Sequence, residues 1–301
     1  MTLLRGQLLT TGPIAIIAMC YAIAAPDRAD PLERWNPDVA IVDSAGGLKG
    51  QCQSKWEDLK SRLPHDWNFL VCPPFVMAGD CSQRVLERYY VETVGPTSRA
   101  LSIQFFDTEP AWPVVLVLCS SDHSYRECNR LLGERDRREY AGIYSRSEHR
   151  LIVNVSTGEG TLAHELTHAL SHADFPTLPE WLDEGLASLF EECEFSRDGQ
   201  RLIGLENWRG AAIRQAANSR TLRSISELIN EQFAVADATL DYAQARYLCL
   251  YLQEKQLLEP FYRKCRSRSK NDRNGHEVLQ SLFGGRDIKD IDDDFQAWLK
   301  R

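Results

Sequence analysis

Within "GTLAHELTHALSH" (160–172), His164, Glu165 and His168 fall inside five residues, and His172 follows one turn later. On a helix, imidazoles at i and i+4 point the same way, about one turn apart, so both can reach a single Zn²⁺. Glu165 is offset by one residue. It is badly placed to be a ligand but well placed to take a proton from a water in the ion's open coordination position. His172 lies two turns from His164, roughly 12 Å along the axis at about 1.5 Å per residue. Three nitrogens at i, i+4 and i+8 on one straight helix cannot converge on an ion that needs ligands at about 2.1 Å. His172 is therefore expected on the rim of a cleft.

The apolar pattern supplies the helix. Leu162, Leu166, Ala169, Leu170 and Ala173 form one stripe at core-face spacing, and the two candidate ligands lie on a different face. "STGE" (156–159) reads as a capping box ahead of it. Downstream, "FPTLPEWLDEGLASLFEE" (175–192) predicts a second helix. Pro176 ends the first helix, and Pro179 suits the first turn of the next. Leu182, Leu186, Leu189 and Phe190 make its core stripe, with Glu180, Glu184 and Glu191 opposite. Fifteen residues separate His168 from Glu184, enough to turn and lay the second helix beside the first. Glu184 can then approach the ion from the side, and Gly185 permits close helix contact. Asp174 is the runner-up ligand: it stands where the last ligand of H-E-x-x-H-x-x-G-x-x-H would fall, although Ser171 replaces that pattern's glycine.

The elements before these helices read as strands. "WNFLVCPPF" (67–75) reads as a short strand, and "PVVLVLCS" (113–120) as a buried central one. "AGIYS" and "RLIVNV" read as a hairpin turning at 146–149. Segments 81–105 and 124–132 have helical spacing, the first interrupted by Gly95–Pro96. "GERDRREY" (133–140) reads as a solvated helix end or loop, and "RKCRSRSKNDRNG" (263–275) as an exposed loop. Strands first and helices later give an α+β fold. A small mixed sheet with an edge hairpin (67–157) packs on the HExxH helix, and a mostly helical part (158–301) follows.

At the N-terminus Arg5 is followed by an apolar, alanine-rich run without charge until Asp27. Residues 1–25 read as a signal peptide cleaved near Ala22–Ala24, with an uncleaved membrane anchor as the alternative. Residues 26–66 are expected to be a loosely ordered lead-in. The chain is thus expected to be extracytoplasmic: periplasmic, secreted, or anchored facing outward. Of nine cysteines Cys20 lies in that leader, leaving eight, and an even number beyond an export signal suggests disulfides. The net charge of −8 argues against a nucleic-acid partner.

"HELTH" followed by "LPEWLDEGLA" resembles the gluzincin zinc metallopeptidases, and most closely the peptidase MA-like exported proteins of bacteria. The likeness covers roughly residues 115–301. It implies one Zn²⁺ held by His164, His168 and Glu184, with Glu165 as general base and a peptide or protein as substrate. "DYAQARYLCLYL" (241–252) resembles the helix that carries an oxyanion-stabilising tyrosine, which implies that role for Tyr242; a packing role is the alternative. "DDDFQAWL" resembles the usual end of such domains. No G-x-M-E-N type segment for a substrate amine is present, which points to an endopeptidase. Ser188 stands where thermolysin-like members carry an aspartate supporting a zinc histidine, so some other residue must do so. The competing expectation is a non-catalytic exported binding or assembly module with a structural or vestigial zinc.

Overall fold

The computed structural model describes residues 47–134, 140–233 and 238–301. The leader and its flank lie outside these, as does most of the charged run 133–140. The first half of the chain builds a five-stranded mixed sheet from β1 (Asn68–Cys72), β2 (Phe75–Gly79), β3 (Val114–Cys119), β4 (Gly142–Ser145) and β5 (Arg150–Asn154). Their order across the sheet is β1-β2-β3-β5-β4. The inner strands β2, β3 and β5 run parallel, and β1 and β4 pair antiparallel at the two edges. All six residues of β3 are buried, as its unbroken apolar run requires of a strand covered on both faces.

Alternation along these strands divides two cores. Val76, Ala78, Val115, Val117 and Ile152 face helices α1 (Gly47–Arg62) and α4 (Asp122–Leu131) through Cys52, Leu59, Tyr125 and Cys128. Met77, Leu116, Leu118, Leu151 and Val153 face the other way. There they meet α3 (Gly95–Gln104), α5 (Glu159–Asp174) and α6 (Glu180–Phe190). The rest of the chain is mostly helical: α7 (Arg209–Ser219), α8 (Ile225–Asn230), α9 (Ala238–Glu254), α10 (Leu258–Arg268), α11 (His276–Leu282) and α12 (Ile288–Leu299). The α+β architecture, with the sheet packed on the HExxH helix, is the one expected.

Several local readings are corrected. Residues 47–62 of the expected lead-in are helical: Cys52 and Leu59, seven apart, fall on one face and bury it against the sheet. Residues 81–105 are not broken at Gly95–Pro96. Helix α2 (Gln83–Tyr89) passes through a π-turn at Tyr90–Val94 into α3, whose first turn accepts the proline's missing N–H. Residues 67–75 hold β1, a turn, and the start of β2. A further hairpin, β6 (Cys193–Phe195) with β7 (Leu202–Gly204), interrupts the helical half. Residues 263–268 belong to α10, where Cys265 is buried and the arginines reach backbone carbonyls on and just after α3. The capping box at 156–159 does not form. Asn154 instead accepts from the Ser156 N–H and hydroxyl, at 3.1 and 2.6 Å, and Gly158 caps α5 without a side chain.

Among the described residues the eight cysteines are free thiols, six of them buried, against the expectation of disulfides. No helix among these residues is long and apolar enough to cross a membrane.

Candidate metal centre

Helix α5 buries Leu162, Leu166, Ala169 and Leu170 against the sheet and its neighbouring helices, which turns His164 and His168 to its other side. Helix α6 runs beside it and buries Leu182, Leu186, Leu189 and Phe190, which presents Glu184 to the two imidazoles. The Nε2 atoms of His164 and His168 are 3.2 Å apart. The Oε2 of Glu184 lies 3.6 Å from the first and 3.5 Å from the second. That oxygen is buried without a hydrogen-bond partner. An orphaned carboxylate oxygen converging with two imidazole nitrogens is a donor set that fits a cation, and His164, His168 and Glu184 together could hold a metal ion. Burial opposes ionisation of the Glu184 carboxyl, but the two nearby imidazoles hold it far below its usual range.

Glu165 lies beside the same two histidines, close enough to feel their charge. It is only 7% exposed, and its side chain lies against Gly142 of the edge strand β4. A Cβ at position 142 would come 2.8 Å from Glu165 Cγ and 2.9 Å from its Oε1. Glycine is what lets the strand pass this close. Burial pushes the Glu165 carboxyl pKa up, while His164 and His168 pull it partly back. A carboxylate with a raised pKa beside a cation site has the basicity expected of a proton acceptor.

Tyr242, near the start of α9, lies close enough to Glu184 to feel its charge. Burial, then the Glu184 charge, raises its phenol pKa well above the ordinary value. Its ring meets Phe233 edge-on at 5.4 Å. The structure therefore brings together His164, Glu165, His168, Glu184 and Tyr242. Helices α6 and α9 approach closely at Gly185, where a Cβ would fall 2.7 Å from Cys249 Sγ and 2.9 Å from the Ala245 carbonyl. The close contact expected of Gly185 is thus made with the tyrosine helix.

Residues 159–272 match the model of a protein family of unknown function, DUF1570. The matched span runs from the start of α5 past the end of α10, so all five of these residues lie within it. No curated protein matches the chain.

Asp174 is not at the cation site. Its carboxylate accepts from the backbone N–H of Asp107 and Thr108 at 2.8 and 3.0 Å, from the Thr108 hydroxyl at 3.1 Å, and from the Tyr262 hydroxyl at 3.1 Å. It also pairs with Arg266. With its oxygens committed in this way, it is a structural tie.

The residue missed by sequence reasoning is Asp183. Its Oδ1 lies 2.6 Å from His168 Nδ1, and its Oδ2 lies 2.6 Å from His172 Nε2. Burial opposes its ionisation, but the two imidazoles hold its carboxyl below the usual range. His168, Asp183 and His172 also satisfy the spacing of a metal-binding group, yet both separations are those of short hydrogen bonds, so they form a bonded chain. Asp183 is the support that Ser188 does not provide: the Ser188 hydroxyl is buried without a partner. The available signal was the "DE" pair of "WLDEG", in which neighbouring residues on α6 reach different nitrogens of one imidazole. His164 has a looser neighbour, Glu191, whose Oε2 is 3.9 Å from its Nδ1 and is bound by Arg209 at 2.9 Å.

Proposed function

We propose that the protein is an exported zinc-dependent metallopeptidase of the gluzincin type, related to the peptidase MA-like proteins. The observation that carries this reading is the position of Glu165: a buried carboxylate with a raised pKa, next to a His–His–Glu donor set and against an edge strand. A purely structural ion needs no base at that position. When bound by His164, His168 and Glu184, a zinc ion would supply Lewis-acid activation of a water and of a carbonyl.

The chain's own residues account for the remaining chemistry. Glu165 takes the proton of the attacking water and returns it to the leaving amine. Tyr242 donates a hydrogen bond to the oxygen that gains charge as the carbonyl is attacked, an interaction stronger in the transition state than in the ground state. Strand β4 is the outermost strand of the sheet on this side. Its outer edge, unpaired with any other strand among the described residues, can pair with an extended peptide by β-augmentation, which lays the scissile bond across Glu165. A peptide or protein is accordingly the substrate class, and internal bonds are the preferred point of cleavage.

The test compares wild type with Glu165→Gln for zinc content and for cleavage of a broad peptide library. The expected result is equal zinc in both proteins, with cleavage lower in the variant by about 10²-fold or more, the scale of general-base loss. Equal zinc with cleavage by neither protein would leave a binding or assembly module on a peptidase-like scaffold.

A further inference from the structure

We propose that His172, though not a metal ligand, sets the metal affinity of the site by clamping Asp183 onto His168. Three observations support the clamp. Asp183 bonds one imidazole with each oxygen, so its plane is fixed by two contacts of 2.6 Å, and His172 supplies the second. His172 Nδ1 is buried without a partner, so the polar tie of this ring is its bond to Asp183. Its ring is held in turn by Tyr144 of the edge strand, at 5.5 Å between centroids, and lies 6.0 Å from the His168 ring.

The consequence for His168 is orientation. With Nδ1–H donated to Asp183, the lone pair sits on Nε2, the nitrogen that faces His164 and Glu184. A carboxylate held by one imidazole alone could rotate about its side-chain bonds and let the His168 ring turn. Held by two, it keeps Nε2 facing His164 and Glu184, where a cation would be held. The i, i+4, i+8 spacing of the histidines, which forbids His172 from joining the ion, is what places it one turn further along on the same carboxylate. His172 is therefore a positioning residue, separated from the cation site by two residues, Asp183 and His168.

This inference rests on the proposed zinc site, and the experiment separates the two. Zinc dissociation constants are measured on the full chain by competition with a chromophoric chelator, for wild type, His172→Phe and His172→Gln. Phenylalanine keeps a ring beside Tyr144 and removes the nitrogen; glutamine restores an N–H donor at similar reach. The expected outcome is about a tenfold weakening in His172→Phe, the lower end for loss of a group supporting a metal ligand. His172→Gln should recover most of that loss, and the metal-free melting temperatures of the two variants should be alike. Cobalt-substituted protein should show a changed ligand-field spectrum in His172→Phe and a near-native one in His172→Gln. Unchanged zinc affinity in His172→Phe would overturn the clamp, as would equal weakening in both variants or a wild type that binds no zinc. Tight zinc binding with the expected variant series, but no peptide cleavage, would overturn the peptidase reading and leave the clamp standing.

Discussion

Tyr242 and Glu184 are neighbours but are expected to fail in different ways when altered. Replacing Tyr242 by phenylalanine keeps the ring against Phe233 and removes the oxygen alone. If the hydroxyl serves the oxyanion, kcat should fall by about 10²-fold, as for loss of one such donor. Zinc content and melting temperature should hardly move. Full turnover in Tyr242→Phe would instead make the residue a packing aromatic. Glu184→Ala removes a charged ligand and leaves two imidazoles, so zinc should be lost on dialysis against a weak chelator. Retention of zinc by that variant would show that the ion is held by a different set.

At the scale of elements, the site depends on close approaches between backbones. Strand β4 reaches Glu165 because residue 142 has no side chain. Gly142→Ala would drive a methyl to 2.8 Å from both Glu165 Cγ and Thr161 Cγ2, and something must shift. A displacement of the base by about 1 Å can cost about 10²-fold in rate. Gly142→Ala should therefore lose most cleavage while keeping its zinc, measured on one preparation; wild-type turnover would show that Glu165 adapts without cost. The two helices carrying the ligands were legible in the sequence because each is long, with an apolar stripe that fixes which side chains face away from the core. Asp183 was not legible. Its partners lie eleven and fifteen residues away across a helix crossing, and the sequence contains no periodicity for a contact between helices. Strands β6 and β7, at three residues each, are too short to show alternation. Helix α1 contains two glycines and buries only Cys52 and Leu59, so its pattern is faint.

Across the whole molecule, the sheet half supplies the edge strand and the helical half supplies Glu184 and Tyr242. Helix α5, which carries both histidines, is packed between them. Its far end is fastened by Asp174, which gathers the chain after α3 and the helix α10 onto one carboxylate through Asp107, Thr108, Tyr262 and Arg266. The Asp174 side chain is fully buried and that of Arg266 is 16% exposed. Removing the acid strands a mostly buried cation and several donors, a kind of change that costs about 3–5 kcal/mol. Arg266 keeps its pair with Asp107, which argues for the lower end of that range. Asp174→Ala should therefore lower unfolding stability by about 3 kcal/mol in denaturant titration. Its zinc affinity, measured well below the transition, should stay close to wild type, because no atom of Asp174 belongs to the cation site. Asp174→Asn, which keeps an acceptor for the backbone donors, should lose less. Loss of zinc from folded Asp174→Ala would mean that this tie also sets the register of α5, so that its far end and the histidines move as one body.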